Sequence, residues 1–356
     1  MQTFTFGTRL CFGENALAAL GTLGAKRVLL ITDKFFAKNG TAQKIADLCH
    51  AETRIFAEVQ PDPPLELVAR GVASLQEFQP DVLLALGGGS AIDCAKGIRS
   101  LGKSEAKLVA VPTTSGTGSE VTSFAILTHE GVKHPLVEDA LRPALAILDA
   151  SLLDKLPAGL VADAGMDTLS HCLEAVAAKN ASVFSDVLAQ SAARCVLADL
   201  PGSYALAKSG KTDRALRGRL HEAATMAGVA FDNAGLGACH ALSHALGGAF
   251  HLAHGKLNGI LLPHILEFNL PAAGEAYARL AASCKLTGAR GLVFAVRRLR
   301  QRLELPETLT QAGLERGAVL AKAEEIAEAA ANDPCTGSNP RPVTKADFLR
   351  LLRAAL

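Results

Sequence analysis

The sequence predicts an α/β protein in two parts, with a parallel sheet in residues 1–150 and an all-α domain in residues 151–356. Three observations support this fold class. The chain has 356 residues, more than the roughly 100–200 of a typical domain. Hydrophobic residues make up 49% of it and charged residues 20%, which leaves enough apolar surface for two cores. Short apolar runs alternate with helical stretches only in the first half.

Four apolar runs in that half predict the buried strands of a parallel sheet, because such strands are covered on both faces. Between the first two runs, segments 41–48 and 65–78 have apolar residues spaced as in helices, and the prolines at 61–64 precede the second segment. The runs are RVLLIT at 27–32, DVLLALGGG at 81–89, KLVAVP at 107–112 and ALAILD at 144–149.

The pattern changes after LLDKLPAGL at 152–160. Long stretches rich in alanine and leucine continue to Leu356 with the spacing of amphipathic helices. No linker rich in Ser, Gly or Pro separates the halves. The boundary near residue 150 is therefore a change of period between a sheet domain and a helical domain.

Charge and cysteine use restrict the class of protein. Lys and Arg total 36 against 35 Asp and Glu, so the sequence predicts neither nucleic-acid nor membrane binding. The eight cysteines never form C-x-x-C, which is typical of free thiols in a reducing cytosol. The start MQTFTFGTRLCFG lacks the apolar core of a signal peptide, and no apolar run approaches 18 residues. We therefore expect a cytoplasmic protein.

A glycine-rich segment, GGGSAIDCAK at 87–96, follows a predicted strand and opens a predicted helix. A loop without side chains lets a phosphate approach the free N–H groups and positive dipole end of a helix, so this segment suits a nucleotide pyrophosphate. The alternative is that the segment binds no phosphate and is only a tight turn from strand to helix, with Ser90 and Asp93 forming a capping box. Ile92 stands where the third glycine of the common dinucleotide fingerprint would fall, so a standard Rossmann motif is excluded.

Two further features belong to the same half. The segment PTTSGTGSEVTS at 112–123 is dense in small hydroxyl groups, which suit a ribose or phosphate better than a core. Asp33 ends the first predicted strand, where its carboxylate would accept hydrogen bonds from ribose and repel a 2′-phosphate. That role predicts NAD rather than NADP, and a helix N-cap is the alternative role for Asp33.

The helical half carries a pattern typical of a metal site. Asp167 and His171 are four residues apart on one predicted helix face, although such a pair alone is also common on helix surfaces. One carboxylate and three imidazoles would suit Fe(II) or Zn(II) with a position left open for substrate. HALSH lacks the glutamate of H-E-x-x-H, which disfavours a zinc protease. Four histidines lie within fifteen residues, at His240, His244, His251 and His254.

These motifs in this order, with GMDTLSH, GLGACHALSHALGGAFHLAHGKLN and DPCTGSNPRP, resemble the iron-containing (group III) alcohol dehydrogenases over nearly the whole chain. The start, the segment KHPLVEDALRPALAILD and the NPRP tail resemble most the microcompartment enzymes that act on 1-propanol and ethanol. The resemblance implies a dehydroquinate synthase-like architecture, a Rossmann-like NAD-binding domain, a metal-binding helical domain and a homodimer.

The family's site residues can be carried over by position. Its four iron ligands fall on Asp167, His171, His240 and His254, with zinc as the alternative metal. Its cofactor contacts fall on Asp33, Gly88, Gly89, Ser90, Thr113, Thr114, Thr117, Thr122, Ile126 and Lys133. Asp62 departs from the asparagine of diol-using relatives.

The resemblance implies interconversion of short primary alcohols and aldehydes, with reduction of propanal or acetaldehyde as the physiological direction. His244, one helical turn after His240, is the candidate for relaying the alcohol proton, and support of a metal ligand is its alternative role. Phe124 falls on a substrate-pocket position where diol-using relatives carry a polar residue.

Three other functions remain open at this point. A metal- and NAD-dependent cyclising lyase of the dehydroquinate synthase type would need a pocket rich in Lys and Arg, and the segments 163–174 and 236–258 offer only Lys256. A diol or lactaldehyde reductase would need a polar group in the place of Phe124. A non-catalytic microcompartment component would not need four intact ligands. The expected partners are a small alcohol or aldehyde, a second copy of the chain, and other microcompartment enzymes if the protein is enclosed with them.

Overall fold

The structure is a computed structural model that describes residues 3–130 and 132–356. Its contacts divide the chain into two units, one comprising Thr5–Lys155 and the other mainly Leu156–Leu356. All eight cysteines are free thiols, and four of them are buried.

The N-terminal unit is built on a six-stranded parallel sheet with the strand order β1-β8-β5-β4-β2-β3, beside an antiparallel hairpin of β6 and β7. The strands are β1 (Arg9–Phe12), β2 (Arg27–Asp33), β3 (Glu52–Val59), β4 (Val82–Gly87), β5 (Lys107–Pro112), β6 (Phe124–His129), β7 (Val132–Val137) and β8 (Leu145–Leu148). The helices are α1 (Lys34–Lys38), α2 (Thr41–Leu48), α3 (Leu65–Phe78) and α4 (Gly89–Leu101).

Both faces of the sheet are buried, as β2 illustrates. Val28 and Leu30 point into one apolar cluster while Leu29 and Ile31 point into another, and all four are fully buried. Successive side chains of a strand alternate between faces, so a strand covered on both sides must be apolar at every position. This explains why the buried strands appear in the sequence as continuous apolar runs.

The strand order changes direction at β2, because β3 lies on one side of it and β4 on the other. Ligands of open α/β sheets bind beyond the carboxyl ends of the strands at such a switch point. Asp33, Gly87 and Pro112 end the neighbouring strands β2, β4 and β5 at this one edge. The topology therefore collects the two polar loops and Asp33 at the place where a nucleotide is expected.

The described residues of the C-terminal unit form helices joined by loops and no strand, which confirms the predicted fold class. None of the described helices is both long and apolar enough to cross a membrane. The helices are α5 (Ala158–Ala177), α6 (Val183–Lys208), α7 (Arg214–Ala234), α8 (Ala238–Phe250), α9 (His254–Ser283), α10 (Gly288–Arg302), α11 (Arg316–Ala321), α12 (Ala323–Asn332), α13 (Pro334–Ser338) and α14 (Lys345–Ala354).

Candidate functional site

The glycine-rich segment forms a sharp connection between β4 and α4. Gly87 has φ +152°, a conformation that side chains disfavour, and a Cβ there would lie 2.6 Å from that of Ala91. Gly88 is the N-cap of α4, and no side chain caps this helix end. The alternative prediction, a capping box formed by Ser90 and Asp93, is therefore wrong. Asp93 instead accepts hydrogen bonds from the Ser119 hydroxyl and, at 3.0 Å, from the amide of Ile126.

Two predicted threonines lie against this loop. A Cβ on Gly88 would come within 3.1 Å of the Thr114 hydroxyl oxygen, and one on Gly89 within 2.9 Å of the Thr117 methyl carbon. Thr114 and Thr117 are half-buried, as is Ser90 in the first turn of α4. Because Gly88 and Gly89 have no side chains, space remains beside these hydroxyl groups at the uncapped N-terminus of α4. This polar cradle fits a nucleotide pyrophosphate.

The other two predicted threonines are buried and act within the protein. Thr113 is 2% exposed, and its amide donates to the carbonyl oxygen of Gly87 at 3.0 Å. Thr122 is fully buried and accepts a 3.0 Å hydrogen bond from Nζ of Lys96. These two residues therefore order the loop, whereas Thr114 and Thr117 offer the accessible hydroxyl groups.

Lys96 ties the second polar loop to α4. It is fully buried, and its Nζ also donates to the carbonyl oxygen of Thr122 at 2.9 Å, that of Phe124 at 2.7 Å and the hydroxyl of Ser119 at 3.2 Å. Burial raises the pKa of neighbouring Asp93, and the charge of Lys96 opposes that rise. Sequence reasoning assigned no role to this lysine, although it belongs to the quoted motif.

Asp33 is the N-cap of α1, so the alternative role considered for it is realised. Its Oδ1 accepts from the amides of Phe35 at 2.8 Å and Phe36 at 3.0 Å. No described residue bonds to Oδ2 of Asp33. The cap therefore fixes the carboxylate at the end of β2 and leaves one oxygen available for another donor.

The remaining residues predicted to lie near the cofactor are on the hairpin. Phe124 and Ile126 are two positions apart on β6, share a face, and are half-buried. Lys133, on β7, forms a 2.7 Å ion pair with Asp62. Asp62, the residue that departs from the diol-using relatives, thus pairs with Lys133, one of the predicted cofactor contacts.

Three helices bring the predicted metal ligands together. Asp167 and His171 lie one turn apart on α5, His240 is in the first turn of α8, and His254 is the first residue of α9. A Cβ on Gly255 would lie 2.1 Å from the backbone oxygen of Asp163. Glycine at this position therefore allows the start of α9 to approach α5 closely enough to set His254 beside Asp167.

The distances at this cluster fit one metal ion. Oδ1 of Asp167 lies 3.8 Å from Nε2 of His171, 3.7 Å from Nε2 of His240 and 3.6 Å from Nε2 of His254. Two donor atoms each about 2.1 Å from a shared ion, at a tetrahedral angle, would lie about 3.4 Å apart. The donor atoms of Asp167, His240 and His254 all lie within 4.8 Å of one another, a spacing that one first-row transition-metal ion can bridge. His171 is outside that group and approaches it through the 3.8 Å contact with Asp167.

Two residues that sequence reasoning missed orient this cluster. Oε2 of Glu174 lies 2.5 Å from Nδ1 of His240, which directs Nε2 of that ring toward the centre. The fully buried amide of Asn258 donates to Oδ1 of Asp167 at 2.7 Å. Its Nδ2 also lies 3.1 Å from Nε2 of His254 and 3.3 Å from Nε2 of His240. Spacing could have identified both residues, because Glu174 shares the helix face of Asp167 and His171, and Asn258 is one turn after His254.

The electrostatics of the cluster favour a cation. Burial would raise the pKa of Asp167, but His171 and the other histidines lower it well below its usual range. Burial would likewise lower the pKa of His240, yet hydrogen bonds with Asp167 and Glu174 raise it to about 9. These carboxylates therefore stabilise positive charge among the rings, and a metal ion can supply that charge in place of a proton.

His244 lies beside the cluster. Its ring stacks on that of His254 with centroids 5.2 Å apart, and its Nδ1 is 2.9 Å from Oδ2 of Asp333. His251, the fourth histidine of the same segment, is exposed and ends α8 in a left-handed conformation. The segment thus supplies two residues of the cluster, one neighbour and one surface residue.

Comparison with known proteins identifies the same family that the sequence motifs resemble. Residues 7–150 match the family described as iron-containing alcohol dehydrogenase, and residues 161–356 match the C-terminal part of the Fe-containing alcohol dehydrogenase family. The chain is 38% identical over 374 residues to a 1-propanol dehydrogenase of Citrobacter freundii and 33% identical over 389 residues to an NAD-dependent methanol dehydrogenase of Bacillus methanolicus, covering all of each protein. A crystal structure of 1,3-propanediol oxidoreductase superimposes with a TM-score of 0.94 at 32% identity and full coverage of both chains.

Proposed function

Because the chain belongs to the iron-containing alcohol dehydrogenase family, we propose that Asp167, His171, His240 and His254 hold iron for the NAD-dependent interconversion of alcohols and aldehydes. The observation that carries the proposal is the convergence of three imidazole nitrogens on one carboxylate oxygen at 3.6–3.8 Å. The donor set also admits zinc. The comparisons give no support to a cyclising lyase.

When bound, the metal supplies Lewis acidity toward the substrate oxygen, and NAD⁺ accepts the hydride. Glu174 and Asn258 orient the ligands for that ion. Gly88, Gly89 and Ser90 present the N-terminus of α4 to the cofactor's pyrophosphate. Asp33 accepts from its ribose and disfavours NADP, because a 2′-phosphate there would meet a like charge.

His244 takes the role of proton relay in this proposal. Its ring is one helical turn from His240 and half-buried, so it connects the metal cluster with solvent. An imidazole at such a position can accept the proton of an alcohol during oxidation and return it during aldehyde reduction.

We propose short, unbranched primary alcohols and their aldehydes as substrates. The phenyl ring of Phe124 cannot pair with a second hydroxyl group, and leaving one buried and unpaired costs about 1–3 kcal/mol, or about 5- to 150-fold in specificity. Similarity to a 1-propanol dehydrogenase supports the same substrate class. Aldehyde reduction is the proposed physiological direction, since oxidation of an alcohol by NAD⁺ is unfavourable near neutral pH.

From the resemblance of its motifs to those of microcompartment enzymes, we further propose that the protein is a cytoplasmic homodimer enclosed with other enzymes in a microcompartment. This assignment is a further part of the proposal. Size-exclusion chromatography with light scattering tests the dimer, and co-purification with shell proteins tests the enclosure.

The ligand assignment is tested with His254→Ala, using His251→Ala as a matched control from the same segment. We expect His254→Ala to lose iron and turnover while NADH binding and the unfolding temperature change little. His251→Ala should retain metal, rate and cofactor affinity, because its side chain is exposed. Full metal content and full rate in His254→Ala would contradict the assignment.

The substrate assignment is tested by kcat/KM for propanal and lactaldehyde, with the wild type and Phe124→Asn. The wild type should prefer propanal, and the substitution should shift the ratio toward lactaldehyde. A wild-type preference for lactaldehyde would instead favour a diol or lactaldehyde reductase.

A further inference from the structure

Asp333, which precedes α13, contacts the ring of His244 at Nδ1, on the side opposite Nε2. Oδ2 of Asp333 lies 2.9 Å from Nδ1 of His244, and the two side chains are 15% and 21% exposed. Oδ1 of Asp333 accepts a hydrogen bond from the amide of Cys335 at 2.8 Å, as the N-cap of α13. Both carboxylate oxygens are therefore engaged, so the carboxylate is fixed in position.

The contact determines which nitrogen of His244 carries the proton. An ionised carboxylate can only accept hydrogen bonds, so Nδ1 must be the donor and Nε2 of the neutral ring keeps its lone pair. Nε2 makes no hydrogen bond with the described residues. The ring faces His254 at an interplanar angle of 15° and meets His240 edge-on with centroids 6.0 Å apart. The free nitrogen thus belongs to a ring packed directly against two of the proposed metal ligands.

We propose that Asp333 is a positioning residue that fixes His244 in the Nδ1–H tautomer, so that Nε2 can take the substrate proton. The inference rests on the proposed function. In the oxidation direction the alcohol O–H bond breaks, its proton forms an N–H bond at Nε2, and the carbon-bound hydride leaves with NAD⁺. Reduction reverses these transfers, and Asp333 touches neither substrate nor cofactor.

The substitution Asp333→Asn distinguishes the effect of Asp333 on the tautomer of His244 from its role as the N-cap of α13. The side-chain oxygen of the asparagine can still cap the amide of Cys335, but its NH₂ group would then face Nδ1 of His244. A donor at that point forces the proton of the ring onto Nε2, which removes the acceptor. We therefore expect Asp333→Asn to lower kcat by about 10²- to 10⁴-fold with little change in metal content, NADH affinity or thermal stability.

The test uses the full-length, metal-loaded enzyme in five forms: wild type, Asp333→Asn, His244→Ala, the double variant and Asp213→Asn. Asp213 is a matched control, because it also caps a helix, accepting from the amide of Leu216 at 3.0 Å. If Asp333 acts only through His244, the double variant is no slower than His244→Ala. Asp213→Asn should keep the wild-type rate.

A measurement independent of turnover reads the tautomer directly. In the zinc-loaded, diamagnetic protein, long-range proton–nitrogen NMR correlations should show Nδ1–H for His244 in the wild type and Nε2–H in Asp333→Asn. Nε2–H in the wild type, a full rate in Asp333→Asn, or a double variant much slower than His244→Ala would overturn the proposal. A wild type with the expected tautomer but no activity toward any alcohol would refute the proposed function and leave the tautomer assignment intact.

Discussion

Replacing Lys96 by methionine removes the only charged atom of a fully buried side chain that links α4 to residues 119–124. Its Nζ donates to two backbone carbonyl oxygens, those of Thr122 and Phe124, and offsets the charge of buried Asp93. Methionine keeps the apolar stem and fills similar space. The change therefore isolates the loss of the ammonium group from the loss of packing.

The expected cost follows from what the substitution leaves behind. Asp93 loses an offsetting charge but keeps its hydrogen bonds from Ser119 and Ile126. The carbonyl oxygens of Thr122 and Phe124 lose their charged donor, and an orphaned buried polar group costs about 1–3 kcal/mol, so the total should be about 3–5 kcal/mol. With a urea m value of about 2 kcal/mol/M, the unfolding midpoint of the N-terminal unit should fall by about 1.5–2.5 M. Thr122 and Ser119 also lose a bond, so NADH affinity should fall.

Hydrogen exchange in β4 and β5 is the suitable assay, because it reports on the N-terminal unit separately from the helical unit. Lys107→Met, on the exposed start of β5, is the control and should change exchange little. Adding Asp93→Asn to Lys96→Met should restore part of the protection, since no buried charge then lacks a partner. Wild-type exchange and wild-type NADH affinity in Lys96→Met would refute this account of the loop.

Three further outcomes follow from the structure. Glu174→Gln should weaken metal affinity by about 10- to 100-fold, measured by competition with a chelator, because His240 loses the acceptor at Nδ1. Gly89→Ala should reduce NADH affinity while leaving metal content unchanged, since the added Cβ would meet the methyl group of Thr117. Burial raises the pKa of Asp163 from 3.8 to about 6, so its stabilising effect is complete below about pH 4 and is lost as the pH rises through 6. In metal-free protein, the free energy of unfolding of Asp163→Asn should therefore exceed that of the wild type by about 3 kcal/mol at pH 8 and equal it at pH 4, as measured by urea unfolding at each pH.

Buried elements were predicted from the sequence better than exposed ones. The helices α2 and α3 have the predicted bounds, and β5 coincides with KLVAVP. The edge strands β1 and β3 and the hairpin of β6 and β7 were not predicted. Residues of β1 and β3 are mostly exposed or half-buried, so they need not form an apolar run that marks a strand. Pro135 further obscures the alternation of β7.

Residues of the site were predicted where helix periodicity or residue clustering made them visible. Asp167 and His171 are one turn apart, and the two distant histidines come from a conspicuous cluster. The structure places Nε2 of each of these histidines within 3.8 Å of Oδ1 of Asp167, and their role as metal ligands stays a prediction. Asp333 and Lys96 act through contacts 89 residues and 23–28 residues away in sequence, respectively. No local period signals such contacts, so only the tertiary structure reveals them.

His254 differs from the other three proposed ligands in its access to solvent. Its side chain is 30% exposed, against 2–6% for Asp167, His171 and His240. We therefore expect a metal ion to meet this imidazole first on loading and to lose it first on release. The rate of metal exchange should then depend mainly on His254, whereas the equilibrium affinity for the metal should depend on all four proposed ligands. Substitutions near His254 should alter how fast metals exchange more than which metal is finally retained.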